Sequence, residues 1–148
     1  MRMTKRLLAV CGMVALMVVG LASAANAAGG SSAPRPVAAG PSASLNWDCP
    51  AGDFCAWTGT DGNGSRCNWA NADADWQVAP VVCSWAGSSP VRSFLNNGRS
   101  TRFTGVALYF GSGFNQFYFC APQLTGTRWV IPGGGAFLRS HQWITSAC

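Results

Sequence analysis

Few residues in this chain are equipped for acid–base or nucleophilic chemistry. Beyond residue 27 there is one histidine, His141, with no glutamate and no lysine. A hydrolase needs a nucleophile with a base and an orienting acid, or a metal set. Ser140 directly precedes His141, but neighbours on a strand point to opposite faces, so the two do not form a couple. No catalytic residue is assigned, and an enzyme is not expected. Structural zinc needs paired Cys/His ligands at short spacing, and no C-x-x-C occurs. Asp61-Gly62-Asn63-Gly64-Ser65 alternates oxygen-bearing residues as a cation loop does, yet it lacks the closing glutamate and reads as a turn. No metal and no cofactor are expected.

The cysteines offer a different chemistry. Cys49, Cys55, Cys67, Cys83, Cys120 and Cys148 follow the N-terminal segment, and an even count in a small exported chain implies a disulfide framework with fifteen possible pairings. Cys49–Cys55 is the favoured pair, because Pro50 and Gly52 between them suit a turn. Three bridges, each worth ~2–4 kcal/mol, would compensate for a modest core. Export itself is read from residues 1–27. Arg2, Lys5 and Arg6 precede an apolar run from Leu7 to about Ala22, and Ala25-Asn26-Ala27 supplies a small-x-small cleavage site. The run is shorter than the ~20 residues of a membrane span. Residues 28–44 are Ala, Gly, Ser and Pro with the single charge of Arg35, a composition expected of a flexible linker. A single folded domain is then expected over 45–148, secreted and monomeric.

Charge is divided along that domain. Without Arg2, Lys5 and Arg6 the formal net charge falls from +5 to +2. All the acids, Asp48, Asp53, Asp61, Asp73 and Asp75, come first; Arg92, Arg99, Arg102, Arg128 and Arg139 follow. An acidic face beside a basic, aromatic-rich one favours anionic or proteinaceous partners, or is simply solvated. Nucleic acid is not an expected partner outside the cell.

The elements that would position these groups are strands. Helical periodicity is absent, and short aromatic or β-branched runs alternate with Gly, Asn, Pro and Ser clusters. Strands are expected at Phe54–Thr58, Val91–Leu95, Gly105–Phe110, Gln116–Cys120, Arg128–Ile131 and Ala136–Ser140. Turns are expected at Asp61–Gly64, Asn96–Gly98, Gly111–Gly113 and Pro132–Gly135. The chain also repeats itself. Val91-Arg92-Ser93-Phe94 returns as Leu138-Arg139-Ser140-His141, and an aromatic opening a glycine-rich turn precedes each copy, Trp57 in one half and Tyr109 in the other. Two similar β units packed as a pseudo-twofold sandwich would follow. In each, the serine hydroxyl would bond to the backbone of a folded-over hairpin.

Trp57 to Gly64, an aromatic-x6-Gly spacing followed much later by a strand ending in Ser93, resembles the Greek-key motif of βγ-crystallin-like domains. The strings CPAGDFCAWTGTDGNG, VRSFLNNG and GAFLRS resemble more closely the secreted peptidase inhibitors of family I36, the Streptomyces metalloproteinase inhibitor type. That resemblance implies an all-β, disulfide-stapled sandwich of two Greek-key units. It departs at Gln116, which stands where the second motif's glycine belongs and implies an altered turn there. Calcium-binding crystallin-like domains carry paired Asp/Asn ahead of the Ser/Thr-Ser. Here Ser88–Ser93 and Gly135–Ser140 hold no carboxylate, and calcium wants six to eight oxygen ligands.

The resemblance implies inhibition of an extracellular protease, of the thermolysin-like metalloprotease class, through a rigid substrate-like loop. Preorganisation of such a loop supplies affinity without any catalytic group. The inhibitory loop would comprise Phe119, Cys120, Ala121, Pro122, Gln123 and Leu124, within the broader region Gly111–Arg128. The reactive bond aligns with Cys120–Ala121. The same aromatics on alternate positions equally suit core packing. Killer-toxin-like antifungal proteins share the fold, so fold alone does not choose the function. The alternative reading is an antimicrobial protein contacting cell wall or membrane, for which seven tryptophans, eight phenylalanines and an arginine-only basic half would suit an anionic, apolar boundary.

Overall fold

A computed structural model describes residues 32–37, 46–123 and 127–148. Residues 1–27, the linker outside 32–37, and Leu124 of the expected inhibitory loop lie outside the described residues. Eight strands form: β1 Arg35–Val37, β2 Phe54–Trp57, β3 Arg66–Trp69, β4 Ser93–Asn96, β5 Gly105–Tyr109, β6 Phe117–Pro122, β7 Arg128–Val130 and β8 Ser140–Ile144. They make two antiparallel sheets, ordered β1-β7-β4-β2-β3 and β6-β5-β8. The molecule is thus an all-β, crystallin-like sandwich of two Greek-key units.

The two halves interlock. β7 comes from the second half yet pairs with β4, with Phe94 opposite Trp129. In return, Asp73 from the first half bridges His141 of β8, each donating its N–H to the other's carbonyl at 3.0 Å. The five-stranded sheet thus takes β7 from the second half, and the three-stranded sheet takes the Asp73 bridge from the first.

The expected serine bonds hold the hairpins down. Ser93 Oγ accepts from Gly62 N–H at 3.1 Å and donates to Gly59 O at 2.7 Å. Ser140 Oγ accepts from Phe114 N–H at 3.2 Å and donates to Gly111 O at 2.6 Å. Both serines are fully buried. The turns match residue for residue: Gly59 N–H bonds Asn63 O as Gly111 N–H bonds Asn115 O, and each asparagine side chain caps the carbonyl three residues back. The expectation of an altered second turn is therefore corrected. Gln116 takes φ +58° where Gly64 takes +81°, so the turn keeps its course and a glutamine bears the left-handed backbone.

Between the sheets lie Phe54, Trp69, Trp76, Phe94, Val106, Leu108, Ile131 and Leu138, all but sealed from solvent. Phe54 and Trp69 stack at 5.9 Å, and Trp69 and Trp76 at 4.5 Å. The disulfides are Cys49–Cys55, as expected, with Cys67–Cys83 and Cys120–Cys148.

Three strand expectations change. Ala136–Ser140 is not a strand: Ala136 only bridges Val91, and the strand begins at Ser140, after Gly133, Gly134 and Gly135 have all turned to positive φ. β3 was not anticipated; its Arg-Cys-Asn-Trp run is held by pairing with β2 and by the Cys67 bridge. Nor was β1. Within the segment expected to be linker, Arg35–Val37 adds to the outer edge of β7, where a proline is tolerated because its missing N–H can face away from the sheet.

Candidate functional site

β6, Phe-Tyr-Phe-Cys-Ala-Pro, is an aromatic run that suits a pleated surface. It lies at the edge of the three-stranded sheet and pairs only with β5, Ala121 opposite Val106 and Phe119 opposite Leu108. Alternation then divides its side chains. Phe119 packs inward against Trp129 at 4.9 Å and Phe94 at 5.9 Å, and Ala121 is fully buried. Asn96 Nδ2 reaches across and donates to Ala121 O at 2.9 Å. Cys120 is bonded to Cys148, which ties the strand to the end of the chain.

The expected inhibitory loop falls mostly on this strand. Phe119, Cys120, Ala121 and Pro122 are strand residues, because each has a partner across β5. Ala121 cannot offer its side chain to an enzyme, since its methyl is sealed beneath the sheet. Gln123 does leave the strand. Its N–H bonds Thr104 O at 2.8 Å and its Nε2 donates to Ser100 O at 3.1 Å.

The exposed residue of this strand is Phe117, 60% accessible; the register shifts between Leu108 and Tyr109, which takes Phe117 out of the Phe119–Ala121 alternation and sets it edge-to-face with Tyr109, ring centres 6.0 Å apart. Tyr118 packs on Phe110 at 4.9 Å and donates its hydroxyl to Ser32 O at 2.9 Å, so the N-terminal segment touches β6 as well as β7. Burial pushes its phenol up to about 12. The significance of Phe117 was not separable from sequence, where it is one of several aromatics in the run.

His141, Ser140 and the Arg139–Asp75 pair are used structurally. His141 Nδ1 accepts from Trp76 Nε1 at 2.9 Å, and its Nε2 lies 3.1 Å from Asn71 O, which fixes the neutral tautomer with its proton on Nε2. Burial lowers its pKa to about 3. Phe54 and Trp69 each stand 5.0 Å from the imidazole, ring centre to ring centre. Ser140 Oγ is committed to the turn. Arg139 Nη2 donates to both Asp75 carboxylate oxygens at 2.7 and 2.8 Å and Nε to Oδ1 at 3.2 Å, and this bonding, with the Gln77 N–H, holds the Asp75 carboxyl below its ordinary value. Among the described residues no three His, Cys, Asp or Glu side chains converge as a metal site.

Comparison with known proteins gives one positive finding. No curated protein and no solved structure matches the chain. The description of peptidase inhibitor family I36 matches residues 42–121, a span that includes β2 to β5 and ends within β6. Matched over more than half its length, the chain belongs to peptidase inhibitor family I36.

Proposed function

We propose that this chain is a secreted, monomeric inhibitor of a thermolysin-like metalloprotease, and that it meets the enzyme along the outer edge of β6 and on to Gln123. The observation that carries this reading is an edge strand already extended and already fixed. β5 on one side, the Phe119 and Ala121 anchors beneath, and the Cys120–Cys148 bridge all hold it. An extended peptide adds to another sheet through main-chain hydrogen bonds, with alternate side chains filling pockets. Phe117 is the apolar side chain available for such a pocket. Little conformational entropy would be lost on binding, and release would be slow for the same reason.

The antimicrobial reading loses its main support. Six of the seven tryptophans are at most 9% exposed, so they are core residues and not a membrane-facing surface. Val78, Val82, Phe117 and Phe137 are the large hydrophobics exposed among the described residues.

Titration against thermolysin-like, subtilisin-like and trypsin-like proteases, beside a vesicle-leakage assay, separates these readings. Inhibition of the first class at micromolar concentration is expected. Leakage without inhibition of any protease would reverse the conclusion. Phe117→Glu should raise the inhibition constant tenfold or more, about 1.4 kcal/mol, with little effect on the fold because the side chain is exposed. Ala121→Arg is not an equivalent test, since it would force a guanidinium into the core.

A further inference from the structure

The segment from Asn96 to Phe103, between β4 and β5, borders two cavities that share Gly98 and Arg99. One, about 170 Å³, is walled by Phe103 and Trp143 with Gly52 and Ala70. The other, about 400 Å³, is walled by Asn96, Asn97 and Gln123. The Phe103 and Trp143 rings lie 6.0 Å apart. The Gly98 backbone rests directly on the indole: a Cβ there would stand 2.7 Å from Trp143 Cζ3, so any larger residue would fill the apolar end.

The polar end has an acceptor to spare. Gln123 spends its Nε2 on Ser100 O, while its buried Oε1 has no partner among the described residues. Arg99 is exposed and, among the described residues, makes no ion pair. Arg102 stands nearby, its guanidinium 5.5 Å from the Phe103 ring. No carboxylate lines either cavity. Asp53, next to the lining residue Gly52 in the chain, has its Oδ2 engaged, accepting from Asn68 Nδ2 at 2.6 Å.

We propose that this groove binds the C-terminus of a peptide whose last residue is apolar. Three complementary groups are called for at once. An anion suits Arg99, an N–H donor suits the glutamine acceptor, and an apolar side chain suits the Phe103–Trp143 slot. The two cavities meet at Gly98 and Arg99, so the three groups line adjoining spaces. A terminal residue carries carboxylate, amide N–H and side chain on a single Cα. An internal aspartate or glutamate spends its side chain on the charge and leaves the slot empty. Arginine pairs with a carboxylate through two parallel hydrogen bonds, which fixes orientation as well as charge. The groove shares Gln123 with the proposed protease surface, whereas Arg99, Phe103 and Trp143 lie outside it, so Arg99→Gln tests the groove without touching that surface.

The test is a titration of the intact, oxidised, 15N-labelled protein with N-acetyl-leucine, N-acetyl-leucinamide and N-acetyl-lysine. Saturable shifts at the Gly98 amide and the Trp143 indole N–H are expected with N-acetyl-leucine, and binding at least tenfold weaker with the other two. Arg99→Gln, at an exposed position, should weaken N-acetyl-leucine binding tenfold while leaving the spectrum of the folded protein in place. Gly98→Val should abolish it. Equal binding of acid and amide, shifts confined to other residues, or no saturation at about 10 mM ligand would overturn the proposal.

Discussion

Replacing Ser93 or Ser140 by alanine removes one oxygen atom and two hydrogen bonds. Ser93 Oγ is the partner of Gly62 N–H and Gly59 O, and Ser140 Oγ is the partner of Phe114 N–H and Gly111 O. Alanine would leave a donor and an acceptor of each turn facing a methyl group. A typical net bond contributes ~1 kcal/mol, and an unsatisfied buried group costs ~1–3. The turns are partly solvated, so water can recover some of the loss. Each single substitution should then cost about 2–3 kcal/mol. For a domain near 100 residues this lowers Tm by roughly 8–20 °C. Urea unfolding with the disulfides intact measures it, and an unchanged m-value would show that stability alone had moved. The serines hold different hairpins, so the double variant should lose about the sum, to within ~0.5 kcal/mol. Losses under ~0.5 kcal/mol at both sites would refute the idea that these hydroxyls clamp the hairpins.

Gln116→Gly should stabilise the protein by about 0.5–1 kcal/mol in the same assay. The exposed glutamine stands at φ +58°, and relief of ~1–2 kcal/mol of left-handed strain exceeds the added chain entropy of glycine. The reciprocal Gly64→Ala should destabilise, since its Cβ would stand 2.5 Å from Thr58 Oγ1. Acid should weaken the fold through His141. Its folded pKa is lowered from 6.5 to about 3, so between those values the unfolded chain holds a proton that the folded one refuses. Stability should therefore fall as pH drops from 6.5 towards 3, and the imidazole should not titrate by NMR above about pH 4. A midpoint in urea that is flat across that window would contradict this. Thiol titration of the oxidised chain from residue 46 onward should find no free cysteine, and two or more would break the three-bridge frame.

What the sequence revealed was local. The turn glycines, the paired Arg-Ser motifs and the Cys49–Cys55 bridge depend on residues close in the chain, and all were legible there. The Ser93 and Ser140 bonds could be anticipated because the same prelude precedes both. Elements held by distant partners were not legible. Arg66–Trp69 alternates polar and apolar residues over only four positions, too short a run to mark a strand, and becomes one because β2 and Cys83 hold it. Arg35–Val37 looks like linker until the edge of β7 receives it. The segment around Cys120–Ala121 had the right apolar content for a protease-facing loop. Whether Ala121 faces an enzyme or packs beside Val106 is decided by β5, where Val106 stands fifteen residues earlier in the chain. The Gly98–Arg99 groove likewise exists only once Trp143 is brought beneath Gly98.

Hydrogen exchange of the protein alone and with a saturating thermolysin-like metalloprotease is the most direct test of the β6 account. Outward-facing amides of an edge strand exchange quickly when free, and pairing with an enzyme strand would protect them. New protection concentrated in residues 117–123 is the expected result. Inhibition accompanied by protection elsewhere, with β6 unchanged, would contradict the assignment of the edge strand as the surface that meets the protease.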